Sequence, residues 1–201
     1  MGEEGSDEWY VYNAIKVFEQ LGWKWKVEPY VKLIHPQGRA NFATCGVVFI
    51  DIPWSGFPGA LVRLCALFPG QNMPLHHHRK RAEVFKIVAG TVRMHWDNPE
   101  PGSIVVPPGE KVSSEVDKNH GVSTDGEGGL YVGVVAESHL RDVYWKDQKT
   151  LVDPDKCVIY PTLNSPACPL VIGWDKFIPL EPLEDSLRDA WQFSQKLNVK
   201  Y

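Results

Sequence analysis

The sequence predicts an all-β domain, an antiparallel sandwich or small barrel, with a helical arm at each end. Three observations carry this. Short apolar runs of strand length succeed one another through the middle of the chain. Gly and Pro interrupt them about every ten residues. Helix-period patterning is confined to the two ends.

Taken in order, the first element is a helix. Asp7 is placed to cap it, and Val11, Ala14, Ile15, Phe18 and Leu21 recur at helical spacing until Gly22 stops the pattern. Residues 23–37 read as an irregular arm with extended pieces, broken at Pro29 and Pro36. Strands are expected over 46–52, 60–68, 83–88, 91–96, 103–106 and 130–136, runs rich in β-branched and aromatic residues. The last third carries scattered prolines from Pro154 to Pro179. An amphipathic helix then starts at Leu183, with Leu187, Ala190, Trp191 and Ser194 on the same face. The organisation is thus an N-terminal helix and arm (1–40), a β-barrel (41–145) and a C-terminal extension packing on it (146–201), within the size of one domain.

Composition excludes several classes. A net charge of −4, with 23% charged and 43% hydrophobic residues, gives no general attraction to nucleic acid or to an anionic membrane. Arg79, Lys80 and Arg81 read as a solvated rim, not a phosphate track. The opening MGEEGSDEWY is acidic, unlike a secretory or transit segment. No apolar run approaches the ~20 residues of a membrane span, so a cytoplasmic protein is expected. Cys45, Cys65, Cys157 and Cys168 show no CxxC spacing and read as separate reduced thiols.

The chemistry concentrates in GQNMPLHHHRKRAEVFKIVAG, Gly70 to Gly90. Residues at i and i+2 of a strand share a face, so an extended 75–78 turns His76 and His78 together and His77 away. Glu83 opens the next strand after a short turn and returns a carboxylate to the same point; Gly90 ends that strand. Two imidazoles and a carboxylate suit a divalent ion and leave coordination positions open.

The full spacing, Gly70-x5-His76-x-His78-x4-Glu83-x6-Gly90, resembles the first motif of the cupin superfamily at every defining position. The resemblance implies a single cupin barrel (a double-stranded β-helix, or jelly roll). GSIVVPPG, Gly102–Gly109, fits the opening of the second motif. The histidine that follows three residues later in most cupins is Val112 here, and the Asn that usually lies four beyond the histidine is Thr124. His120, after an apparent insertion over 110–118, becomes the fourth ligand, with His95 as the alternative.

Further stretches, LCALFPGQNMPLHHH, EVFKIVAGTV, PGSIVVPPG and GVVAES, resemble the D-lyxose isomerase branch over residues 46–140. That resemblance implies a metal-dependent aldose–ketose isomerase acting on an open-chain sugar such as lyxose or mannose through an enediol. The cofactor is one divalent ion (zinc, manganese or iron). Glu137 and Lys80 are the candidate proton carriers; Lys86, Arg93, His95 and Trp96 are the candidate substrate contacts. The superfamily and the apolar arms suggest a homodimer. The same ligand set also suits an iron(II) dioxygenase, and the altered second motif suits a non-catalytic binding module. The polar flank of Gln71, Asn72, Arg79, Lys80, Arg93 and His95 favours a polyhydroxylated or anionic ligand.

Overall fold

A computed structural model describes residues 3–25, 29–52, 60–124, 127–135, 142–146, 158–160 and 181–198. The first element is helix α1 (Asp7–Gln20). Its cap is Ser6, not the expected Asp7: Ser6 Oγ accepts from the Trp9 amide at 3.2 Å, satisfying one of the free N–H groups of the first turn. Asp7 instead pairs with Arg39. Gly22, at φ +86°, takes the left-handed conformation that ends the helix.

The strands follow as β1 (Tyr30–Ile34), β2 (Val47–Ile52), β3 (Leu61–Leu67), β4 (Asn72–His77), β5 (Glu83–Gly90) and β6 (Val92–Trp96). Then come β7 (Gly102–Val106), β8 (Lys111–Ser114), β9 (His120–Ser123), β10 (Gly129–Val135), β11 (Tyr144–Trp145) and β12 (Val158–Tyr160). Helix α2 (Leu183–Asn198) closes the described chain. Among the described residues, the strands form two sheets. One has the order β12-β1-β2-β3-β10-β5-β8, the other β11-β4-β9-β6-β7, and every neighbouring pair is antiparallel. The segment read as an irregular arm therefore supplies β1 to the larger sheet, and the C-terminal segment supplies β12.

Strand alternation sorts the core into two layers. Val31, Leu33, Val48, Ile50, Val62, Leu64, Val84, Val88, Val132 and Val134 pack with Phe18 of α1 and Leu187 of α2 on the outer face of the seven-stranded sheet. The alternate positions, Val47, Phe49, Cys65, Phe85, Ile87 and Tyr131, meet Met73, Met94, Val106, Val122 and Trp145 of the five-stranded sheet. Each fully buried aliphatic or aromatic side chain contributes about 1.5–3 kcal/mol of transfer free energy, so both layers stabilise the two-sheet arrangement. On α2, Leu183, Leu187, Ala190 and Ser194 are buried as the apolar stripe requires, while Trp191 is half-buried.

Residues 110–118, read as an insertion relative to the second motif, are ordered. They form β8, paired to β5 with Ser114 opposite Glu83, and a turn through Asp117 at φ +59°. The turn is held by the Asp117 amide donating to His78 O at 2.7 Å. Cys45 and Cys65 are buried and free; Cys157 and Cys168 lie outside the described residues. No described helix is long and apolar enough to cross a membrane.

Candidate metal centre

Strands β4, β5 and β9 bring His76, His78, Glu83 and His120 together. One ligand atom from each lies within 4.8 Å of the others, and all four residues are buried. A bulge in β4 between Met73 and His76, at Pro74 and Leu75, resets the alternation so that both Met73 and His76 face inward. The bulged backbone lies close over β9: a Cβ at Gly121 would stand 2.8 Å from Met73 O, so glycine is required there. His76 pairs directly with His120 across these strands, and Glu83 enters from the facing sheet.

Each imidazole is fixed from behind. His76 Nδ1 donates to Pro74 O at 2.9 Å, and His78 Nδ1 donates to the carbonyl of Asp142. His120 Nδ1 lies 3.1 Å from Lys118 O and 2.7 Å from Ser114 Oγ. A carbonyl only accepts, so Nδ1 carries the hydrogen in each ring and Nε2 is left as a lone pair. Those lone pairs converge on a carboxylate. His78 Nε2 sits 3.2 Å from Glu83 Oε1, and His120 Nε2 sits 3.1 Å from Glu83 Oε2. His78 Nε2 is buried and makes no hydrogen bond. Acceptors facing acceptors in a buried space call for a positive charge between them, and a divalent cation with nitrogen and oxygen ligands meets that demand.

The electrostatics agree. Burial, with His120 and His78 close by, holds the His76 imidazole well below its ordinary value, so it is neutral and ready to ligate. Burial alone would raise the Glu83 carboxyl; positive charge at His78 and His120, supplied by a proton on Nε2 or by a bound cation in its place, outweighs burial and keeps Glu83 ionised. Arg81 adds its Nη2 at 3.3 Å from Glu83 Oε1. Around the cluster stand Trp145, 5.0 Å from the His76 ring, and Phe85, 5.7 Å from the His120 ring. Behind Phe85, burial keeps both the Tyr131 phenol and the Cys65 thiol protonated.

His77 faces away, as its position in the triplet requires: it stacks on Tyr144 at 5.2 Å and meets Asn119 Oδ1 at 3.1 Å. Three expected substrate contacts face away from the cluster. Lys86 is three residues from Glu83 and so falls on the opposite face of β5, where it pairs with Glu181 and Asp189 beneath α2. Arg93 and His95 flank the inward Met94 and therefore point off the outer face of the five-stranded sheet. There Arg93 reaches Ser103 and His95 Nε2 meets Ser123 Oγ at 2.6 Å. His95 is thus no alternative to His120. Trp96, opposite His120 in the ladder, does share its face and packs on Gly102. Lys80 is exposed in the loop after β4, and Glu137 lies outside the described residues. Gln71, expected on the polar flank, is fully buried and serves the backbone, accepting from Phe68 N and donating to Phe42 O.

Other groups at the site had no motif to reveal them. Asp142 orients His78 through its carbonyl, while its carboxylate accepts the amides of Arg79 and Lys80 at 3.0 Å each. Arg63 and Asp51, paired at 2.7 Å, lie on the inner face of the larger sheet.

No family model and no curated protein matches the sequence. Solved structures do. An L-ribose isomerase from Cellulomonas parahominis superposes with a TM-score of 0.59 at 12% identity, over 71% of this chain and 92% of that one. The L-ribose isomerase of Geodermatophilus obscurus gives 0.57 at 12% identity over the same shares. Oxalate decarboxylase of Bacillus subtilis gives 0.43 at 19% identity over 49% of this chain, which spans only 27% of that enzyme's length. With two antiparallel sheets enclosing three histidines and a glutamate, the chain shares its fold with these two L-ribose isomerases.

Proposed function

We propose that the protein is a metal-dependent aldose–ketose isomerase acting on an open-chain sugar. The observation that carries this reading is the convergence of three anchored Nε2 lone pairs on one carboxylate, inside a fold shared with sugar isomerases. His76, His78, Glu83 and His120 would hold the ion. A divalent ion bound there supplies Lewis-acid polarisation of the sugar carbonyl, a contribution of several kcal/mol without any redox change.

The chain's own groups do the rest. Pro74, Asp142 and Ser114 with Lys118 hold the three rings in the ligating tautomer, so no reorientation accompanies binding. Phe85 and Trp145 wall the cluster and exclude water, which strengthens every electrostatic contact inside. Arg81 presents a cation beside Glu83, available to negative charge that develops near it as the C2 proton leaves. Glu137, which follows β10 in the sequence, is our candidate for moving that proton between C2 and C1, worth about 10²–10⁴-fold in rate.

The test is direct. The purified full chain, loaded with manganese or zinc, should convert at least one member of a panel of aldoses to the 2-ketose. Chelation should abolish turnover and the ion should restore it. No ketose from any aldose, with iron-dependent oxygen uptake on another substrate, overturns the proposal.

A further inference from the structure

Strand β7 is an edge of the five-stranded sheet: among the described residues, β6 is the only strand paired to it. Alternate residues of such a strand direct their N–H and C=O groups to the open side. Edges are ordinarily blunted by charge, by proline or by brevity. Two other edges of the molecule are blunted in this way. β8 carries Lys111, tied to Asp189 of α2, and β11 pairs over two residues only. β7, with the sequence GSIVV, has no charged residue, no proline and no bulge in its pairing with β6.

Its side chains are left unfinished on the same side. Gly102, Ile104 and Val106 pair with Trp96, Met94 and Val92, so they take the inner face of the sheet. In that layer Val92, Met94, Val106 and Val122 are 2–4% exposed. Gly102 is covered by Trp96, whose ring lies 2.7 Å from where a Cβ would stand. Ile104 sits between these two covered positions and is nevertheless 51% exposed. Met94, in the same row, has Val122 on one side and Ile104 on the other; Ile104 has Met94 on one side only. What it lacks is the next strand. On the outer face Val105 is also exposed, at 40%.

The ends of β7 select the strand that fits. Pro101 precedes it, and Pro107 and Pro108 follow it; none has an N–H, so the open ladder is bounded to Gly102–Val106. A second β7 run antiparallel carries the same bounds. Opposite residues must share a face, so one register uses the whole ladder: Ile104 opposite Ile104 of the other copy, and Ser103 opposite its Val105. The next in-phase register on either side sets a proline against the ladder, Pro101 against Val105 or Pro107 against Ser103. No like charges meet, because the strand has none.

We propose that the chain forms a two-fold dimer by pairing β7 antiparallel with β7 of a second copy, centred on Ile104, which joins the two five-stranded sheets edge to edge. The contact is isologous and uses each β7 once, so association through it stops at two copies. The inference is independent of the reaction assigned to the metal centre.

The experiment uses the full chain. Sedimentation equilibrium from about 1 to 100 μM should show the two-chain mass at the upper concentrations. Ile104→Lys sets two ammonium groups opposite each other and should raise the dimer dissociation constant at least about 100-fold, with the fold retained because the side chain is half exposed in one copy. A cysteine pair reads the register. Ile104→Cys, opposite itself, should form a disulfide between copies under mild oxidation, whereas Val105→Cys, opposite Ser103, should stay at the wild-type level. This milder pair decides the matter if the lysine variant fails to fold. A single-chain mass at every concentration overturns the proposal, since β7 is then open or covered by a different strand. A dimer that Ile104→Lys leaves intact, or crosslinking at 105 equal to that at 104, overturns it as well.

Discussion

Strand β5 carries buried charge on both of its faces, and the two clusters are built to opposite specifications. On the helix side, Lys86 Nζ donates to Gly109 O at 2.6 Å and meets Asp189 and Glu181 at 2.9 Å each, while Lys111 adds a second cation to Asp189. The three donors of an ammonium are all used, and opposite charges alternate. On the inner side, Glu83 faces the Nε2 atoms of His78 and His120 with Arg81 at its edge, and His78 Nε2 is left without a hydrogen-bond partner. Burial alone therefore does not mark the functional face. Completeness does: one cluster is saturated by its own side chains, and the other is finished only by a cation from outside.

The largest expected break in this contrast is at the inner cluster. Glu83→Gln removes the one anionic ligand, and metal affinity should fall by more than the ~10–100-fold typical of losing an outer hydrogen-bond partner. Metal content after dialysis, measured by elemental analysis, checks it; retention of one ion per chain would show that the cluster is not the binding site.

Acid should strike the same face next. The fold keeps His76 neutral, so below the ordinary histidine value of about 6.5 the unfolded chain takes up a proton that the native state refuses. Stability of the metal-free protein should therefore drop as pH falls from about 6.5, by up to about 1.4 kcal/mol per pH unit for one such proton. Glu83 acts in the same direction at lower pH. Its carboxyl is held down in the fold, so its contribution is present above the ordinary carboxylate range and is lost as pH falls through the depressed value. Urea unfolding across pH 7.5 to 5 reads the first effect, and His76→Gln should flatten the curve. A wild-type curve already flat over that range would refute the assignment.

The smallest effect belongs to the helix side. Lys86→Met leaves Asp189 and Glu181, each about a third exposed, free to rehydrate and Asp189 still paired to Lys111. The cost should be about 1 kcal/mol in chemical denaturation, with metal content unchanged. A loss of metal in this variant would mean that the two faces of β5 are coupled.

Much of this arrangement was legible in the chain, for identifiable reasons. Short apolar runs rich in β-branched and aromatic residues and divided by Gly and Pro predict β2, β3, β5, β6, β7 and β10. His76, His78 and Glu83 could be placed because a histidine pair at i and i+2 fixes its own facing. The same parity rule, applied to Lys86 from Glu83 or to Arg93 and His95 from Met94, would have placed all three on the far side. Nearness in sequence alone does not decide which face of a strand a side chain takes. Strand β8 was missed because KVSS, four half-buried residues at a sheet edge, has little apolar signal of its own. Arg63, Asp51 and Asp142 sit as single charges within ordinary strand or loop sequence, and only the folded register gathers them.

Asp142 stands 64 residues beyond His78, yet its carbonyl holds that ring, and its carboxylate holds the two loop amides that follow it. The last fastening of the cluster therefore comes from a part of the chain made well after the ligands themselves. During synthesis His76, His78, Glu83 and His120 emerge first, and the ring of His78 gains its anchor only when β11 docks against β4. The geometry in which His78 would hold an ion is therefore complete only when β11 closes the five-stranded sheet.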